Sequence, residues 1–73
     1  PDVCVEVLSP NDDAIEVDRK VEEYREAGVL LTIVINPETR TLLLVRKDGS
    51  TRRLYAHDTL GDEPALPGLS VEI

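Results

Sequence analysis

Between Gly28 and Asn36 the chain reads Val-Leu-Leu-Thr-Ile-Val-Ile, with Thr32 its only polar side chain. So apolar a run, rich in β-branched residues, predicts a strand over Val29–Ile35 that is covered on both faces. The flanking sequence offers further elements. Val3–Leu8 alternates strictly, with Val3, Val5 and Val7 on one face and Asp2, Cys4, Glu6 and Leu8 on the other. The β-branched valines favour a strand whose valine side is buried. Ser9-Pro10-Asn11-Asp12-Asp13 breaks that strand and supplies N-cap residues, with acids near the positive end of a helix dipole. From about Asp13 to Ala27, Ala14, Val17, Val21 and Tyr24 recur at helical spacing, and Gly28 is the expected residue just past the helix end.

Downstream, Asn36-Pro37-Glu38-Thr39 predicts a turn. Thr41–Arg46 and Thr51–Ala56 flank Lys47-Asp48-Gly49-Ser50, whose Asp-Gly pair predicts a hairpin. An irregular stretch from His57 to Gly68 holds Pro64 and Pro67, and Leu69–Ile73 is a candidate last strand. The order is strand, helix, strand, hairpin, short strand, which is a mixed α/β layer with one helix.

At 73 residues the chain forms one small domain. Domains of this size bury only about 60% of their unfolded surface, so the core is marginal unless something else covers it. An apolar fraction of 41% argues against disorder. Two Tyr with no Phe or Trp leave few platforms for stacking single-stranded bases. A net charge of −7 disfavours indiscriminate phosphate binding. No run approaches the ~20 apolar residues of a membrane span. The single Cys4 builds neither a disulfide framework nor a thiolate zinc site, and reads as a small core hydrophobe in a reducing compartment. With no signal peptide in view, the expected location is the cytoplasm. Opening on Pro1 without Met, the chain is expected to be a fragment of a longer protein.

Charge is unevenly spread. Residues 1–28 hold nine acids and three bases, residues 29–56 two acids and five bases, and residues 57–73 four acids and no base. The middle third gathers Arg40, Arg46, Lys47, Arg52 and Arg53. An acidic first element beside a basic hairpin suits a site that holds a cation and meets a polyanion; a solvated hairpin face is the alternative.

Asp2 and Glu6 are the candidate acids. On one face of a straight strand they stand roughly 13 Å apart, too far to hold one ion between them. Lys20 lies about 40° around the helix from Tyr24, so its ammonium can reach the helix–sheet junction. Its alternative is a surface ion pair with Glu16, four residues earlier. His57-Asp58 is a further polar pair, without a Ser or Cys nucleophile in a recognised setting. Gly61 and Gly68 follow no phosphate-loop spacing.

Together, PDVCVEVLSP, DRKVEEYREAGV, IVINPETRTLLLV and LPGLSVEI resemble the C-terminal half of the Uma family of restriction endonucleases, within the PD-(D/E)XK nuclease superfamily. The resemblance covers nearly the whole chain, with Glu-Val-Leu-Ser-Pro and the Lys-x-x-x-Tyr helix its most specific parts. It departs at Leu30-Leu31-Thr32, where the family usually has Glu-Tyr-Trp, at Asn36-Pro37 in place of Asp-Pro, and at Asn11 in place of Ser. The family domain also has a further half before this Pro-Asp.

The resemblance implies a partial restriction-endonuclease-like core over residues 1–73: a mixed β-sheet, one α-helix and a C-terminal β-hairpin. It implies Mg²⁺- or Mn²⁺-dependent hydrolysis of DNA phosphodiesters, incomplete in this fragment alone. Glu6 becomes the strand carboxylate that ligates the metal, Asp2 a second ligand or site-edge acid, and Lys20 the superfamily's lysine moved onto the helix. Arg46, Lys47, Arg52 and Arg53 are the expected phosphate contacts. A truncated sheet leaves apolar surface and an open edge, so a homo-oligomer, most simply a homodimer, is expected. The alternative is a non-catalytic oligomerisation or protein-binding module that kept the fold.

Overall fold

A computed structural model describes residues 2–60 and 71–72. The strands β1 (Val3–Val7), β2 (Leu31–Asn36), β3 (Thr41–Arg46) and β4 (Thr51–Leu54) form one sheet in the order β1-β2-β3-β4. β1 and β2 run parallel, joined through the helix α1 (Ala14–Glu26); the other two pairings are antiparallel hairpins. β5 (Thr59–Leu60) and β6 (Val71–Glu72) make a separate antiparallel pair. The four-stranded sheet with its one helix is the expected mixed α/β layer; the β5–β6 pair differs from expectation, since Thr59–Leu60 falls in the stretch expected to be irregular. Pro1, Gly61, Pro64 and the whole Leu-Pro-Gly-Leu segment (residues 66–69) lie outside the described residues.

The helix begins where the Asp-rich break places it. Asp13 is the N-cap, in extended conformation, and its Oδ1 accepts from the Ile15 amide at 2.8 Å. At the other end Gly28 takes φ +94°. That left-handed turn lets the Gly28 amide reach the Arg25 carbonyl at 3.1 Å and the Val29 amide reach the Tyr24 carbonyl at 3.0 Å. The paired bonds close the helix and feed the chain straight into β2.

Apolar side chains fill both sheet faces. Under α1, Val21, Val34 and Val45 are buried, flanked by Leu8, Val17 and Leu43. On the opposite face Leu31, Ile33, Leu44 and Leu54 are buried, flanked by Val3, Ile35 and Leu42. The doubly covered strand expected from the run after Gly28 is thus β2, with Leu31–Val34 all buried.

The valine face of β1 differs from expectation. Val5 is 54% and Val7 61% exposed, and only Val3 joins the core. Among the described residues β1 is an edge strand, with β2 as its neighbour, which leaves Val5 and Val7 on the face away from α1 largely exposed. The alternate face, with Cys4, Glu6 and Leu8 half-buried, is the one that meets the helix.

β4 ends at Leu54, two residues before the expected Ala56. The Asp58 amide donates to the Tyr55 carbonyl at 2.9 Å, and the Tyr55 amide donates to Asp58 Oδ2 at 2.7 Å, closing a turn that takes the backbone out of the sheet. Asp58 thus closes the turn through one carboxylate oxygen, beside exposed His57.

Candidate active site

Glu6, Lys20 and Tyr24 meet at the junction of β1 and α1. Glu6 is carried on β1 on the helix-facing side, and Lys20 and Tyr24 sit one helical turn apart on α1. Tyr24 donates its hydroxyl hydrogen bond to Glu6 Oε1. Lys20 Nζ stands 3.5 Å from the other oxygen, Glu6 Oε2. The Glu6 side chain is 22% exposed and that of Lys20 50%, so the carboxylate is sheltered while the ammonium reaches it from the solvent side. Burial alone costs a carboxylate dearly unless its oxygens are partnered, and here both are.

The bond to Glu6 foremost, then partial burial and the negative carboxylate, hold the Tyr24 phenol above its ordinary range, with smaller effects from Cys4 and Glu23. Tyr24 is therefore a donor throughout the neutral range. Glu16, the alternative partner for Lys20, pairs instead with Arg19 at 2.6 Å, and Arg19 also bridges to Glu23. The Arg19 bridge leaves Lys20 turned toward the strand. The sequence placed Tyr24 in the apolar stripe and in the Lys-x-x-x-Tyr helix, without giving its hydroxyl a role. The four-residue offset from Lys20 was the signal that both face one carboxylate.

Asp2 stands apart from this constellation. It precedes β1, is exposed, and its carbonyl accepts the Leu30 and Leu31 amides at 3.0 and 3.2 Å. Its anchored backbone sets the parallel register of β1 on β2. Cys4 lies between the two acids, beside Thr32 in the register.

The four hairpin bases divide. Arg46 stands opposite Leu31 and Arg52 opposite Leu44, which puts both on the sheet face away from α1. Arg53 stands opposite Leu43, which stands opposite Val34, which stands opposite Glu6. Arg53 therefore shares the helix-side face and one cross-strand row with Glu6, roughly 14 Å along it at strand spacing. Lys47 sits in the exposed β3–β4 turn, where its carbonyl accepts from Arg25 Nε at 3.2 Å.

A cavity of about 690 Å³ opens farther along the helix side, between the first turns of α1 and the β2–β3 turn. Leu8, Val17, Leu43 and Pro37 line it, and none of Glu6, Lys20 and Tyr24 does. Glu6, Lys20 and Tyr24 thus lie outside this cavity, on a more polar shoulder.

The donor set suits a hard cation, since Glu6 and Asp2 offer carboxylate oxygens. Among the described residues no group of three or more His, Cys, Asp or Glu is placed to hold a metal. Mg²⁺ keeps several waters and takes only one or two carboxylates alongside substrate phosphates. Glu6 fits as one such ligand, and the rest of a shell has to come from water, substrate or other polypeptide.

The chain matches the Uma2 family model, described as "Putative restriction endonuclease", over residues 1–73, and it belongs to that family. No curated protein matches it. Among solved structures it is similar to the crystal structure of a putative nuclease belonging to DUF820 from Anabaena variabilis ATCC 29413. The TM-score is 0.83 at 19% identity, over 99% of this chain and 41% of that one. The likeness is one of fold, and the chain spans about two-fifths of that protein's length. Among the described residues no helix is long and apolar enough to cross a membrane.

Proposed function

We propose that this chain is part of a restriction-endonuclease-like domain and carries the Glu6 carboxylate and Lys20 ammonium of a Mg²⁺- or Mn²⁺-dependent site that hydrolyses DNA phosphodiesters. The observation that carries the reading is the approach of Lys20 Nζ to 3.5 Å from Glu6 Oε2, between a strand and a helix. Family membership supports it. A bound divalent ion supplies polarisation of the phosphodiester and a lowered pKa for an attacking water.

The chain's own residues do the rest. Glu6 offers the metal-binding oxygen. Lys20 sets its ammonium against charge that builds on the phosphoryl oxygens. Asp2, exposed just before β1, is a site-edge acid rather than a co-ligand with Glu6 of one ion. Arg53 and Lys47 are the hairpin bases whose placement suits phosphates approaching from the helix side, while Arg46 and Arg52 face the other way. The half-buried free Cys4 suits a reducing compartment such as the cytoplasm.

The test is cleavage of plasmid DNA with Mg²⁺ or Mn²⁺ by the full-length protein that carries this chain. Glu6→Gln and Lys20→Ala are each expected to lower the rate by about 100-fold or more with circular dichroism unchanged. Full activity in either variant contradicts the assignment.

A second reading, a non-catalytic oligomerisation module, has one observation in its favour: exposed Val5 and Val7 on the edge strand β1. A homodimer disrupted by Val5→Asp, with no metal affinity in the wild type, is the result that selects it.

A further inference from the structure

We propose that Tyr24 is the positioning residue for Glu6: its hydroxyl fixes Oε1, so that Oε2 alone is turned toward Lys20 and toward an incoming cation. The proposal rests on the reading of Glu6 as a metal-binding acid and adds how that acid is held. A glutamate has three side-chain torsions, and an unrestrained carboxylate offers either oxygen in many directions. Groups that hydrogen-bond a metal ligand restrict it, and losing them costs metal affinity even though they never touch the ion.

Tyr24 is built for such restraint. Its ring leaves α1 in the last full turn, where the Tyr24 carbonyl accepts from the Val29 amide at 3.0 Å. Val29 is 3% exposed, and Gly28 supplies the turn that makes the bond possible. The phenol is thus tied through its own backbone to the start of β2, the strand that pairs with β1 and places Glu6 opposite Val34. Donor and acceptor are referenced to the same sheet, so their separation is set by the fold and not by two free surface side chains. Lys20, by contrast, is half exposed and free to exchange its place at Oε2. The division of labour follows: Oε1 is held and Oε2 is exchangeable.

A purely structural role for the hydroxyl predicts a different outcome, because it concerns only the satisfaction of a half-buried phenol. The experiment compares wild type, Glu6→Gln and Tyr24→Phe in three readouts: Mn²⁺ affinity by calorimetry, thermal midpoint, and the ¹³C resonance of the Glu6 carboxyl. Tyr24→Phe keeps the ring and its packing. The expected result is a fall in Mn²⁺ affinity of about tenfold or more, a displaced Glu6 carboxyl resonance, and a melting transition that stays cooperative. Binding that Glu6→Gln loses and Tyr24→Phe keeps within twofold overturns the positioning role alone. Equal binding by wild type and Glu6→Gln overturns the metal reading itself, and the positioning role with it. Should Tyr24→Phe not fold, Tyr24→Leu with the same carboxyl resonance decides whether Glu6 moves when the donor is gone.

Discussion

Thr32 and Cys4 stand side by side in the parallel register of β1 and β2, one hydroxyl and one thiol under the same helix. Thr32 is 1% exposed, and its Oγ1 has no hydrogen-bond partner among the described residues. A buried hydroxyl left unpaired costs about 1–3 kcal/mol. Thr32→Val, which replaces that hydroxyl by a methyl of similar size, is therefore expected to stabilise the protein by about 1 kcal/mol. Urea denaturation measures it; a lower midpoint with an unchanged slope contradicts it.

Gly28 is a site where backbone conformation, and not space, decides. At φ +94° a Cβ would meet nothing within 4 Å, yet an L side chain there is strained. Gly28→Ala is expected to cost about 1–2 kcal/mol through the left-handed conformation alone. Because the same turn orients Tyr24, the variant is also expected to weaken any metal affinity at Glu6, which calorimetry reads beside the melt.

Asp48 makes the hairpin sensitive to acid. Its Oδ1 accepts from the Ser50 hydroxyl at 2.6 Å and the Ser50 amide at 2.9 Å. These bonds, the hydroxyl's first, hold the carboxyl below its ordinary value of 3.8. A lowered folded value means that the ionised form favours the fold. The contribution is complete above the unfolded value and is lost as pH falls through the folded one, so the window lies below about pH 4. An Asp48 titration midpoint below 3.8 by carboxyl-detected NMR is the expected result. The shift is expected to shrink in Ser50→Gly, which removes the hydroxyl bond and keeps the amide one.

Leu44 lies at the centre of the face away from α1 and is 0% exposed. Leu44→Ala is expected to cost about 2–5 kcal/mol, a large share of the stability of so small a domain. Val7→Thr, at a position 61% exposed, is expected to change stability by no more than about 0.5 kcal/mol. Chemical denaturation of the pair separates core from open edge.

Much of this architecture was legible because local signals agreed. The Asp13 cap, the Gly28 stop, the Asp-Gly hairpin and the apolar run of β2 each act through neighbours in sequence. Exposure of Val5 and Val7 was not legible, because alternation reveals that a strand has two faces but not whether it stands at an edge. Lys20 illustrates the same limit. Helical spacing offered Glu16 and the sheet as rival partners, and the competing Arg19 bridge decided between them. The split of Arg46 and Arg52 from Arg53 follows from strand parity. It becomes visible once the β3–β4 register is fixed by Leu43 opposite Arg53.

The most direct measurement is a calorimetric Mn²⁺ titration of the full-length protein that carries this chain and of its Glu6→Gln variant, each shown folded by circular dichroism. The account predicts binding by the wild type that the variant loses. Equal titrations, or none in either protein, contradict Glu6 as a metal-binding acid.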